Sequence, residues 1–250
     1  MLQFMQINIL IPTTWNELSN EQFQKIVSLF HSSEPSIQQE YQAFRILLNA
    51  RWYQWIKKAR IRWLLRTEPR SVWLPFYEFL YQKCTRTVFV SEIKANGKTY
   101  YAPNNRLNNL SAVEFAVAND LHVVWRSKQS TEALLLLFHV LYSESKKRAP
   151  FDKLALDKKT AEKIPLPILL ATEATFLGSL NHMSSKFPKV FPASQKNKQS
   201  KHVSFEKIIL AMAKGDLSKL STIENVNIYK FLEQFQDDIK EANERKRQQR

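Results

Sequence analysis

Few residues in this chain are able to do chemistry. There are five histidines, His31, His122, His139, His182 and His202, and one cysteine, Cys84. No histidine lies three or four positions from another histidine or from Cys84, so a zinc site built on one short segment is unsupported. A site assembled from distant residues stays open. Arg86 is close enough in sequence to lower the pKa of the Cys84 thiol, but a nucleophile also needs a base and none is adjacent. Cys84 therefore reads as an ordinary half-buried residue. His139 sits inside the apolar stretch Leu134–Tyr142 and reads as a packed side chain. Glu173, in a later apolar helix, would be a functional candidate if buried, but reads as a solvent-facing position. The chain has no Walker loop, dinucleotide fingerprint, nucleophile elbow or HExxH. We therefore expect no catalytic residue, no metal and no cofactor, and read the protein as non-enzymatic.

Binding chemistry is better represented. The stretch Gln38–Thr67 lacks Pro and Gly, and Tyr41, Phe44, Leu48, Trp52, Trp55, Ala59 and Trp63 recur at helical spacing. One helix over this range would be the element around which the chain is organised. Basic residues lie between the aromatic ones. Proteins that bind single strands combine a positive groove with stacking rings. Arg51, Trp52, Trp55, Lys57, Lys58 and Arg62 thus form a candidate nucleic-acid surface. The alternative is a core helix whose basic side chains lie over its apolar margin. A second candidate surface is the last helix. Ile228, Phe231, Phe235 and Ile239 give it one apolar face, able to dock a helical partner or to pack on the main domain.

Composition sets outer bounds. A net charge of +14 favours an acidic counterpart, whether nucleic acid, lipid or protein, without choosing among them. A hydrophobic fraction of 44% belongs to a folded chain. Only 3 glycines argue against Gly-rich ligand loops and against sandwich or barrel architectures. A single cysteine allows no intrachain disulfide and fits a reducing compartment. The N-terminus is not a convincing signal peptide, and no run of about 20 apolar residues is present. Integral membrane association is not expected.

The elements that must position these residues read mostly as helices. Leu2–Ile11 is an expected strand, with Met5–Ile11 the part placed in the sheet. Ser19 caps the helix that follows, Gln22 closes a capping box, and Leu18 staples onto Phe23. Val72–Tyr81 reads either as a short helix or as an extended segment. Asn96-Gly97 predicts a hairpin turn pairing Thr87–Ala95 with Lys98–Ala102. Leu110-Ser111-Ala112-Val113-Glu114-Phe115 then repeats the earlier capping motif. The alternatives are an ancient duplication and convergence on one strand-to-helix connection; we favour convergence, because the likeness does not continue downstream. Further helices are expected over Thr131–Tyr142, about Ile168–Met183, Phe205–Met212 and from near Ile223, with Glu241–Arg250 frayed.

Several of these landmarks carry a resemblance. They are Ile11-Pro12-Thr13-Thr14-Trp15-Asn16-Glu17-Leu18-Ser19 with Gln22-Phe23, and Tyr101-Ala102-Pro103 with Leu107-Asn108-Asn109-Leu110-Ser111 and Glu114-Phe115. The Leu137–Tyr142 and Pro165–Leu177 helices are the later ones. In this pattern the chain resembles tail-region proteins of phages and prophages of Bacteroidota-type bacteria. The resemblance implies a role in tail assembly, with a tail or tape-measure protein as partner, as for a chaperone. It implies a place in the bacterial host's cytoplasm or on the virion, and it brings no catalytic residues. The tryptophan-rich stretch and the basic Lys196–His202 segment depart from the pattern. The expected fold is α+β, predominantly helical with a small antiparallel sheet. We divide the chain into a main domain at 1–191, a basic linker at 192–203 and a helical C-terminal extension at 204–250. The expected function is non-enzymatic tail assembly through protein partners, with nucleic-acid binding by the basic tryptophan helix as the alternative.

Overall fold

Two short sequences, Leu18-Ser19 and Leu110-Ser111, start helices by the same local chemistry. The computed structural model describes residues 11–32, 36–48, 59, 62–63, 66–157, 159, 162–191, 204–213 and 216–248. In the first copy the Ser19 N–H donates to Gln22 Oε1 at 2.9 Å, and the Gln22 N–H donates to Ser19 Oγ at 3.2 Å. In the second, the Ser111 N–H donates to Glu114 Oε2 at 2.8 Å, and the Glu114 N–H donates to Ser111 Oγ at 3.3 Å. Each box satisfies donors that a helix start otherwise leaves open. The stapled pairs Leu18/Phe23 and Leu110/Phe115 are all buried.

The helices so begun are α1, Asn20–Ser32, and α4, Ala112–Lys128. Between them lie α2, Ile37–Leu47, and α3, Arg70–Trp73. Two 3₁₀ turns follow α3 at Leu74–Phe76 and Glu78–Tyr81, so Val72–Tyr81 is helical rather than extended. Pro75 sits in the first turn of its 3₁₀ segment, where its missing N–H costs no bond. After α4 come α5, Thr131–Leu141, and α6, Lys153–Asp157. The chain then forms α7, Leu166–Lys186, α8, Phe205–Met212, α9, Leu217–Glu224, and α10, Ile228–Gln248. The sheet has two strands, β1, Glu92–Ala95, and β2, Lys98–Tyr101. They pair antiparallel with Ile93 opposite Tyr100. Asn96 and Gly97 take φ of 52° and 73°, as a tight two-residue hairpin turn requires. The fold is α+β and predominantly helical, with this small antiparallel sheet.

Several expected boundaries move. The strand does not begin at Thr87, because the backbone there is already committed. The Thr87 N–H donates to Asn16 Oδ1, the Thr87 carbonyl accepts from the Arg106 N–H, and the Val88 carbonyl accepts from Arg86. The last helix starts at Ile228, not near Ile223. Asp216 caps a separate α9, which stops at Asn225. The C-terminal end is helical as far as Gln248 rather than frayed, with an Arg245–Glu241 pair along its surface. The helix expected over Gln38–Thr67 is described as α2 and as helical residues Ala59, Arg62, Trp63, Arg66 and Thr67. The expected strand Met5–Ile11 and its place beside the hairpin lie outside the described residues, apart from Ile11. So does the linker at 192–203.

The central element is α7. Ala171 and Ala174 face one buried cluster, built by α1, α2 and α3 with Trp15, Phe23, Phe44, Trp73 and Tyr77. Leu169, Leu170, Phe176 and Met183 face a second, larger cluster with α4, α5, α8 and α10. Small and hydroxylated residues let both sides approach. Thr172, Thr175 and Ser179 donate their hydroxyls to carbonyls one turn back, each at 2.9 Å, so their burial leaves no donor unpaired. A Cβ at Gly178 would overlap the Arg86 carbonyl oxygen, so glycine is what lets the 84–88 segment lie on the helix. The helices of the C-terminal extension pack on this second cluster, through Phe205, Ile209, Ile228, Phe231 and Leu232.

Candidate functional site

Helix α10 is rooted firmly and ends in solvent. At its root the Ala112 N–H donates to the Val226 carbonyl at 2.8 Å, and the Ile228 N–H donates to the Leu110 carbonyl at 2.9 Å. Asn227 Nδ2 adds a 2.7 Å bond to the Asn108 carbonyl. Ile228 and Phe231, at 0% and 2% exposure, belong to the core. They are therefore corrected from candidate partner contacts to anchors of the helix. Phe235 and Ile239, one turn apart on the same side, are only half-buried. Beyond them every side chain from Glu241 to Gln248 is exposed. Beyond Leu232 the helix carries Glu233, Asp237, Asp238, Glu241 and Glu244, with Lys240 among them and paired to Asp237, followed by Arg245, Lys246 and Arg247 in the last turn. The helix presents a half-covered apolar ridge, an acidic middle and a basic tip.

The candidate nucleic-acid residues are less completely placed. Arg62 is exposed, and the neighbouring Trp63 is 54% exposed. Arg51, Trp52, Trp55, Lys57 and Lys58 lie outside the described residues.

The structure also assembles polar groups that sequence reasoning missed. Glu162 is their hub. It accepts hydrogen bonds from the Tyr100 hydroxyl, and from Lys98 Nζ and Lys159 Nζ at 3.1 Å each. His139 Nε2 lies 3.6 Å from the same carboxylate, and Lys98 and Lys159 also pair with Glu144. Burial opposes the charge on Glu162, but the Tyr100, Lys159 and Lys98 hydrogen bonds outweigh it and hold the carboxyl down at about 2. Burial pushes the His139 imidazole down to about 4, against the pull of Glu162. At neutral pH the pair is thus carboxylate and neutral imidazole. The cluster ties Lys159 and Glu162 to β2 and to His139 near the end of α5. Below it is a cleft of about 310 Å³ lined in part by His139, Ser143, Glu144, Asp152, Leu156 and Lys159. These residues come from four separate segments, and the one signal in the sequence was a histidine within an apolar helix.

Two single-residue expectations change. Glu173 is buried, not solvent-facing, with its Oε1 3.2 Å from His122 Nδ1 and 3.9 Å from Arg126. Helix α7 has neighbours on two sides, so it has no broad solvent face on which to leave it. Cys84 is half-buried as expected, but its thiol is pushed up to about 11. Burial outweighs the nearby Arg86, which removes the thiolate needed for nucleophilic chemistry. Among the described residues no three metal-ligating side chains come together, and no helix is long and apolar enough to cross a membrane. No protein-family model, curated protein or solved structure gives a significant match to this chain.

Proposed function

We propose that the protein is a non-enzymatic phage tail assembly factor that binds a helical segment of a tail or tape-measure protein. The observation that carries this reading is the outer half of α10. An amphipathic helix whose apolar ridge is only half-covered supports helix-in-groove recognition. Phe235 and Ile239 would supply the apolar contact. The acidic middle and basic tip would favour a partner helix with the opposite order of charge, fixing direction. The landmark resemblance of the two capping motifs supplies the tail context.

Co-expression with neighbouring tail gene products, followed by affinity capture, tests the reading. Capture of one of them is expected, with loss of at least tenfold in affinity for Ile239→Gln. That substitution lies on a half-buried surface position and should leave folding intact. Failure to capture any tail product, or capture indifferent to Ile239→Gln, would count against it.

A further inference from the structure

A second surface, remote in sequence from the tryptophan stretch, gathers cations without counter-charges. The turn Asn105–Leu107 packs on the C-terminal end of α7. Arg106 there is exposed, as is Lys186 in the last turn of α7, with His182 one turn earlier. Tyr229 joins the two elements. Its hydroxyl donates to the Arg106 carbonyl at 2.7 Å, and Lys186 Nζ lies 5.0 Å from its ring centroid. Among the described residues no carboxylate pairs with Arg106, His182 or Lys186. The His182 imidazole is held below its usual range by burial, and then by the charges of Arg106 and Lys186, which places all three within electrostatic reach.

Holding Arg106 there is not free. Arg106 and Leu107 both have φ of 61°, a left-handed conformation that is unfavourable for a non-glycine residue. The cost is offset locally. Leu107 is fully buried, and the Arg106 N–H and carbonyl are both bonded. The carbonyls at the end of α7 contribute roughly half a negative charge. That is less than the two full cations beside it, so an excess of positive charge remains.

We propose that Arg106, Lys186 and His182 form a binding site for the phosphate backbone of a nucleic acid. Arg106 and Lys186 are both exposed, which suits an extended polyanion. The net charge of +14 would steer such a polymer to the surface. Binding would be indifferent to sequence, because phosphate contacts position without reading bases. This proposal is separate from the partner face on α10 and shares no residue with it.

The test is fluorescence anisotropy of the full chain with labelled single-stranded and duplex oligonucleotides over a salt series, with an acidic peptide as competitor. Wild type should bind at low salt, and affinity should fall steeply as salt rises. The double variant Arg106→Asn, Lys186→Gln should bind at least tenfold more weakly, with a salt slope shallower by about one to two. Asparagine tolerates the left-handed backbone, so the variant should keep its melting temperature. Ile239→Gln should bind oligonucleotides like wild type, which separates this site from the tail-partner face. No binding at low salt, or equal affinity and slope in the double variant, would overturn the proposal. Displacement by an acidic peptide as readily as by an oligonucleotide of the same charge would also overturn it.

Discussion

The Arg86 guanidinium is buried with no carboxylate beside it among the described residues. Its donors go instead to three carbonyls and an amide. Nε reaches Val88, Nη1 reaches Trp15 at 3.1 Å and Leu18 at 2.8 Å, and Nη2 reaches Asn20 Oδ1 at 2.9 Å. The guanidinium also lies 4.4 Å from the Phe23 ring centroid. Arg86→Met would keep the volume and strand these buried acceptors, so we expect a loss of about 3–5 kcal/mol in urea unfolding. A loss under 1 kcal/mol would show that the bonds contribute little. None of this was legible in the sequence, because the Nη partners lie 66 to 71 positions away. His139 makes a different prediction. Its folded pKa of about 4 lies below its ordinary 6.5, so the unfolded chain takes up the proton first. Its contribution to stability is complete above pH 6.5 and is lost as pH falls from 6.5 towards 4. His139→Gln should flatten stability across that window; an unchanged pH profile would contradict it.

At the scale of elements, local chemistry was readable and partner choice was not. Ser19/Gln22 and Ser111/Glu114 declared two helix starts, and Asn96-Gly97 declared the hairpin. Each signal is complete within a few residues. The same side chains have a second role that depends on the fold. Gln22 Nε2 donates to the Ile46 and Leu47 carbonyls at the end of α2. Glu114 Oε1 holds Arg148, which in turn donates to the Val140 and Leu141 carbonyls at the end of α5. Each box thus ties the start of one helix to the end of another. Ser111→Ala should cost about 1 kcal/mol by thermal unfolding, since Arg148 would still anchor Glu114. The importance of α7 was also hidden. Its small and hydroxylated residues look unremarkable until two cores meet across it. Gly178→Ala tests that geometry: the added methyl meets the Arg86 backbone, and a loss of about 1–3 kcal/mol is expected. No loss would mean that the 84–88 segment yields freely.

Across the whole molecule, two buried clusters share α7, and the chain returns at its end to pack α10 on the larger one. The sequence pattern marked Ile228, Phe231, Phe235 and Ile239 as one face. Periodicity alone could not divide it into two that enter the core and two that stay half-covered. That division is one of packing, since Ile228 and Phe231 join the larger cluster and Phe235 and Ile239 do not. It leaves the outer turns of α10 with few partners of their own, where amide protection should be low. Hydrogen–deuterium exchange of α10, alone and with a captured tail protein, tests its proposed role in binding. Fast exchange is expected over residues 235–248 in the free chain, with marked protection of that segment in the complex. Unchanged exchange there, with protection elsewhere on the surface, would contradict the assignment of α10 as the partner-binding element.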